Sequence, residues 1–123
     1  MTTKPELQKK VVTVKLSGRS TGMGAYTRHR IFSLRQRREL KPHRTESSRT
    51  GNHWTDFWYL LPGRYFVVVK DISNSGKHYC YAGYLEVSEH KYEIKQRCSV
   101  DEVPEFAREA LCWCLTEPKE PGW

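Results

Sequence analysis

The 123-residue sequence predicts an α+β domain, a mostly antiparallel sheet of four to six strands with one C-terminal helix packed on it. Three observations predict this class. Residues 59–87 hold the longest apolar run, rich in β-branched and aromatic side chains, around a turn at 74–76. Residues 91–98 alternate between apolar and polar side chains, whereas residues 103–114 place apolar side chains at helical spacing. At this length the chain, 1–123, is most economically one domain.

The first strand is predicted over 10–16, where Val12, Val14 and Leu16 share one face. Before it, residues 1–9 lack any periodicity and are expected to fray. The glycine-rich segment 17–24 predicts a loop that ends this strand.

A second, short strand is predicted over 25–34, where Tyr26, Phe32 and Leu34 share a strand face. The following segment, 35–52, reads RQRRELKPHRTESSRTGN and is almost empty of apolar residues. Because burial cannot offset its ordering entropy, we expect a long exposed Arg-rich loop between the first strand and the central hairpin. Apolar density resumes over 53–61.

The central hairpin follows the turn at Pro62 and Gly63. Its returning strand alternates from Tyr79 to Val87, with Gly83 as the expected position of a bulge. After a turn over 88–90, the strand at 91–98 comes next.

The C-terminal helix is predicted to be capped by Ser99 or Asp101, with Pro104 in its first turn. Two prolines end it, and they leave a C-terminal tail over 117–123.

Positive charge is concentrated in one part of the sequence. The chain has 21 Lys plus Arg and 14 Asp plus Glu, a net charge of +7. Between Arg19 and Arg49 nine basic residues face two acidic ones, so that nine minus two gives +7, the whole net charge. Eight of the nine are arginine, whose planar guanidinium pairs with phosphate oxygens and stacks on bases. Aromatic rings among arginines are typical of proteins that bind single strands.

The sequence therefore predicts a small, non-enzymatic, basic protein that binds nucleic acid, RNA or single-stranded DNA, through its Arg-rich loop. The predicted binding residues are Arg28, Arg30, Arg35, Arg37, Arg38, Lys41, Arg44, Arg49, Tyr26 and Trp54. Duplex DNA is less favoured because no helix carries these arginines into a major groove. Two alternatives stay open: an interaction, accessory or assembly protein that docks on an acidic protein surface, and a solvated loop without a ligand.

Metal, cofactor and catalytic signals are weak. The four cysteines lack the paired spacing of zinc sites, so we expect no metal or cofactor, and reduced, packed thiols without a disulfide. A catalytic arrangement would use Cys80 as nucleophile, His78 as base and Glu86 as orienting group. Residues two apart on a strand lie about 6 to 7 Å from each other, which is too far for a direct hydrogen bond. No catalytic residue is predicted.

The sequence also lacks the apolar run of about 20 residues that a membrane helix needs. Its first residues, MTTKPELQKK, do not form the apolar stretch of a secretory signal. These observations predict a cytoplasmic protein without a membrane partner.

Overall fold

A computed structural model describes residues 10–116, which form eight β-strands and one α-helix. The strands are β1 (Val12–Ser20), β2 (Tyr26–Ser33), β3 (Arg38–Leu40), β4 (Arg44–Ser47), β5 (His53–Leu60), β6 (Gly63–Ile72), β7 (His78–Val87) and β8 (Tyr92–Cys98). Two 3-10 turns, Val100–Glu102 and Glu105–Ala107, precede the helix α1 (Arg108–Leu115). The α+β class is confirmed, although the number of strands exceeds the expected four to six.

All strand pairs are antiparallel, in the order β4-β5-β1-β2-β6-β7-β8, with β3 also paired to β2. β1 pairs with β5 along eight residues but with β2 only at Arg19↔Thr27 and Ser20↔Tyr26. The other end of β2 pairs with β3, from Ile31↔Leu40 to Ser33↔Arg38. The sheet therefore opens between β1 and β3 into two parts, β4-β5-β1 and β3-β2-β6-β7-β8.

Two hydrophobic clusters form the core of the fold. The first joins both parts of the sheet and contains Val14, Ile31, Trp58, Leu60, Val67, Val69, Leu85 and Val87. The second packs α1 and the 3-10 turns on the sheet and contains Phe32, Phe66, Val68, Ala82, Val103, Ala107, Ala110 and Cys114. β6 contributes alternate residues to both clusters, and this explains its continuous apolar run, because a strand buried on both faces needs no polar positions.

The central hairpin is confirmed, with β6 and β7 paired from Gly63↔Val87 to Ile72↔His78. The expected bulge is also present, as the β7–β8 register shifts between Gly83 and Tyr84.

The expected loop over 17–24 is wrong in its first half, because β1 continues to Ser20. Pairing with β5 carries the strand through the glycine: Gly18 lies opposite Trp54, whose indole occupies the space that a Cβ would fill.

The Arg-rich segment 35–52 is not a continuous loop, since it contains β3 and β4. β3 pairs with the end of β2, and β4 pairs with β5 from Arg44↔Phe57 to Ser47↔Trp54. The neighbouring strands supply the hydrogen-bonding partners, so these short edge strands form without an apolar pattern of their own. The segment is nevertheless largely exposed, with Leu40 half-buried against the first cluster.

The C-terminal region differs from expectation in two ways. α1 begins only at Arg108, after the two 3-10 turns, so Ser99 and Asp101 do not cap it. Cys80 and Cys114 form a disulfide that joins β7 to α1, which overturns the expectation of reduced thiols. Cys98 and Cys112 are free.

The predicted frayed start, 1–9, and tail, 117–123, lie outside the described residues. Within 10–116, no helix is long and apolar enough to cross a membrane.

Candidate nucleic-acid interface

A cavity of about 670 Å³ opens between β3 and β5, where the chain turns from β5 into β6. We call it the basic cavity. Its basic lining residues are Arg35, Arg38, Lys41, His43 and Arg64, and its aromatic ones are Trp58, Tyr59 and Tyr65. The described residues that line it include no Asp or Glu. Its charge therefore suits an anion. Of its rings, Tyr59 is exposed and offers a flat surface for stacking, whereas Trp58 is buried in the first hydrophobic cluster.

The turn between β2 and β3 positions the arginines of the cavity. The main-chain N–H of Arg37 donates to the Ser33 carbonyl at 2.8 Å, and the N–H of Gln36 donates to Ser33 Oγ at 2.9 Å. Arg37 has a left-handed backbone, with φ of 57°, which closes this tight turn. Arg35 and Arg38 are held on either side of it, exposed at the edge of the cavity.

Hydrogen bonds fix the aromatic wall. Trp58 Nε1 donates to the Leu40 carbonyl at 2.9 Å, which ties β5 to β3 across the cavity. The Tyr65 hydroxyl donates to the Leu61 carbonyl at 2.8 Å, and burial raises the pKa of Tyr65. Its phenol therefore stays neutral at physiological pH and adds no negative charge to the site.

His43 and Tyr59 form the rim of the basic cavity on the β4 side. Their ring centroids are 4.7 Å apart with an interplanar angle of 41°. Arg44 Nε donates to the Tyr59 hydroxyl at 3.3 Å, and Arg44 also pairs with Glu46. Tyr59 remains 38% exposed, so that part of its side chain is open to solvent.

The structure brings three of the predicted binding residues, Arg35, Arg38 and Lys41, together in the basic cavity. Within residues 10–116, none of the three takes part in an ion pair. Their charges are therefore open to an external anion.

Arg30 lies elsewhere and has protein partners. Its guanidinium donates to both carboxylate oxygens of Glu39, at 2.9 and 2.6 Å, and to Glu109 at 2.9 Å. It also lies 4.9 Å from the ring centre of Trp113. The hydrogen bonds with Glu39, followed by those with Glu109, raise the pKa of Arg30 despite its burial. Arg30 therefore joins β2, β3 and α1.

The remaining predicted residues do not line the basic cavity. The guanidinium of Arg28 lies 4.6 Å from the ring centre of Trp54, and that of Arg37 lies 5.2 Å from the ring centre of Phe106. Tyr26 is buried, and this burial raises its pKa. Arg44 borders the rim, as described above, whereas Arg49 is exposed in the turn between β4 and β5.

The sequence did not lead us to place Tyr59, Tyr65 and Arg64, which line the basic cavity, among the predicted nucleic-acid-binding residues. The alternation of side chains along β5 does indicate that Tyr59 is exposed, because neighbouring strand residues point to opposite faces and Trp58 is buried. Arg64 and Tyr65 reach the cavity only because the chain folds back from β5 into β6, and no local pattern shows this.

The arrangement of Cys80, His78 and Glu86 considered above lacks a free thiol at its nucleophile position. Cys80 is in the disulfide, and His78 Nε2 lies 2.8 Å from the Cys114 carbonyl oxygen. Among the described residues, no group of three or more His, Cys, Asp and Glu could hold a metal ion.

Comparisons with known proteins identified no relative of this chain. No protein-family model, no curated protein and no solved structure matches the chain.

Proposed function

We propose that this chain is a small, non-enzymatic binding protein that holds nucleic acid, RNA or single-stranded DNA, in the basic cavity. The observation that carries the proposal is the convergence of Arg35, Arg38 and Lys41 on a cavity with aromatic walls and no acidic lining residue among those described. Cations bind the phosphates, and the exposed ring of Tyr59 gives an unpaired base a surface to stack on.

The shape of the site favours a single strand. Duplex readers place a helix or a two-stranded ribbon in the major groove. The cations here line a concave space of about 670 Å³, and α1 contributes no residue to it. A cavity of this kind accepts an unstacked nucleotide, whereas a base pair within a duplex cannot enter it.

The alternative partner is an acidic protein surface. The observation that favours it is the edge strand β4, whose four residues are all exposed and could pair with an added strand. The two proposals differ in which competitor displaces the ligand. An acidic peptide would displace an acidic protein partner, but it has no bases and cannot replace the stacking of a nucleic acid.

Fluorescence anisotropy across a salt series tests the proposal. The probes are fluorescein-labelled oligo-uridine and oligo-thymidine of about 12 nucleotides, a duplex of the same length, and poly-glutamate as competitor. Replacing both Arg35 and Arg38 with Ala is expected to weaken single-strand binding. It should also flatten the slope of log K against log salt by about 1.5, since each phosphate contact contributes about 0.7 to 0.9. Arg37 is left in place because it contacts Phe106.

The matched control replaces Arg49 and Lys77, two exposed basic residues outside the cavity, with Ala. This control removes the same charge and should leave the slope nearly unchanged. Both variants should keep the stability of the wild type to within about 0.5 kcal/mol per site, as is usual at surface positions. Absence of single-strand binding by the folded wild type at low salt would refute the proposal, and so would equal slopes for the cavity variant and the wild type.

A further inference from the structure

We infer that the strand held in the basic cavity continues over the rim of His43 and Tyr59 onto the outer face of the β4-β5-β1 part of the sheet, where Lys15 and Arg44 bind its backbone. This inference rests on the proposed function. The outer face is defined by the residues opposite the first hydrophobic cluster, which are Thr13, Lys15 and Ser17 of β1, Thr55, Phe57 and Tyr59 of β5, and Arg44 and Glu46 of β4.

Strand alternation creates this face. Val14 of β1 and Trp58 of β5 pair with each other and belong to the first hydrophobic cluster. Their neighbours therefore point the other way, and Lys15 is exposed at a position paired with Phe57. The helix α1 packs against the other part of the sheet. The outer face is thus left uncovered by the elements between residues 10 and 116.

One row of paired residues across the outer face combines two cations with an aromatic ring. Arg44, Phe57 and Lys15 are register partners on neighbouring strands, so that the outer two main chains lie about 10 Å apart. The guanidinium of Arg44 is 3.8 Å from the ring centre of Phe57, and Lys15 Nζ is 5.9 Å from it. Phe57 is only 7% exposed beneath them. The ring therefore supports both cations on the surface.

Glu46 is the acidic residue of the outer face and pairs with Arg44. The side chains of this pair are 49% and 60% exposed. Ion pairs with such exposure are weak, because water and salt screen them. A backbone phosphate can therefore take the place of Glu46 beside the guanidinium, and Lys15 has no ion pair among the described residues.

The rim makes the cavity and the outer face continuous. His43 and Tyr59 both line the basic cavity, and Tyr59 is also the register partner of Thr13 on the outer face. If a base stacks on the exposed part of Tyr59, the phosphate on one side of its nucleotide lies toward Lys41 and the phosphate on the other side lies toward Arg44. Stacking on a ring between two groups of cations is how sequence-tolerant single-strand sites are built.

The experiment compares probe lengths, each in RNA and DNA form: oligo-uridine and oligo-thymidine of about three and of about 12 nucleotides. Lys15→Ala is expected to weaken binding of the long probe and flatten its salt slope by slightly less than one, with no change for the short probe. Tyr59→Leu is expected to weaken the long probe about tenfold or more, since stacking on one ring contributes that much. Matched controls are Lys77→Ala and Tyr79→Leu, exposed residues away from this path.

The outcomes separate this inference from the proposed function. Wild-type protein that binds no probe refutes the proposed function itself. Wild-type binding of both lengths, with Lys15→Ala affecting neither, overturns the outer-face path and leaves the cavity in place. A loss in Lys15→Ala that is equal for both lengths, or equal to the loss in Lys77→Ala, overturns the path as well, because it reports overall charge. Circular dichroism melting of each variant verifies that it is folded.

Discussion

Gly18→Ala is expected to destabilise the protein strongly, because the space beside Gly18 is already occupied. A Cβ built on Gly18 would lie 2.1 Å from Trp54 Nε1, 2.4 Å from Trp54 Cε2 and 2.7 Å from the Thr27 carbonyl oxygen. Rotation of Trp54 away from this position would give up the contact of its ring with the guanidinium of Arg28, which lies 4.6 Å from the ring centre.

The magnitude follows from which atoms must move. Overpacking a well-packed site costs about 1 to 3 kcal/mol. Movement of the indole relieves only two of the three contacts, because the third is with a main-chain oxygen of β2. β1 and β2 pair only at two positions beside this point, so the strain falls on their junction. We therefore expect a loss of about 3 kcal/mol, which corresponds to a decrease in Tm of about 10 °C for a domain of this size.

Urea denaturation followed by tryptophan fluorescence and by circular dichroism measures this loss. Gly22→Ala is the matched control, since no atom lies within 4 Å of its Cβ position, and its stability should change by about 0.5 kcal/mol or less. In a Trp54→Ala background, Gly18→Ala should cost less but still retain a cost from the Thr27 carbonyl. Equal losses for the two glycine variants, or no coupling between Gly18 and Trp54, would contradict the proposed contact.

Two further predictions concern the disulfide and the partly buried His29. Replacing both Cys80 and Cys114 with Ser is expected to lower the free energy of unfolding, measured by urea titration, by about 3 to 4 kcal/mol, because the bridge closes a loop of 34 residues. A reductant should lower the free energy of unfolding of the wild type by the same amount and leave that of the variant unchanged. Burial lowers the pKa of His29 below 6.5 despite the opposing charges of Asp56 and Asp71, so the unfolded chain binds more protons. Stability should then be full above about pH 6.5 and decrease as the pH falls through that value, and His29→Gln should flatten this dependence; an unchanged slope would contradict the burial argument.

Elements with strong local signals were predictable from the sequence. The hairpin of β6 and β7, its turn and the bulge after Gly83 follow from β-branched runs, turn residues and one glycine. β3 and β4 were not predictable, since they have three and four residues and no apolar alternation. They form because the adjacent edges of β2 and β5 offer unpaired main-chain groups, which is a property of the folded sheet.

The candidate site was also predictable only in part, because local charge can be counted along the sequence whereas contacts between distant residues cannot. Counting local charges selected Arg35, Arg38 and Lys41, and the fold brings these three together in the basic cavity. It could not identify Arg30 as a structural residue, because one of its partners, Glu109, lies 79 residues further along the chain. The disulfide between Cys80 and Cys114 was hidden by distance in sequence as well, across 34 residues.

The fold divides the nine basic residues between Arg19 and Arg49 into groups with different roles. Arg19, Arg30 and Arg44 pair with carboxylates, while Arg28 and Arg37 lie over aromatic rings.

Arg35, Arg38 and Lys41 remain in the basic cavity, and Arg49 remains in the turn before β5. The +7 of this segment is therefore not one diffuse field that any polyanion would satisfy. Three of these cations, Arg35, Arg38 and Lys41, meet at the cavity, where the proposed ligand would contact them. In the proposed complex, a ligand that contacts three cations there has a modest salt dependence, so the exposed ring of Tyr59 must add to its affinity. This combination favours unpaired bases over a phosphate backbone alone.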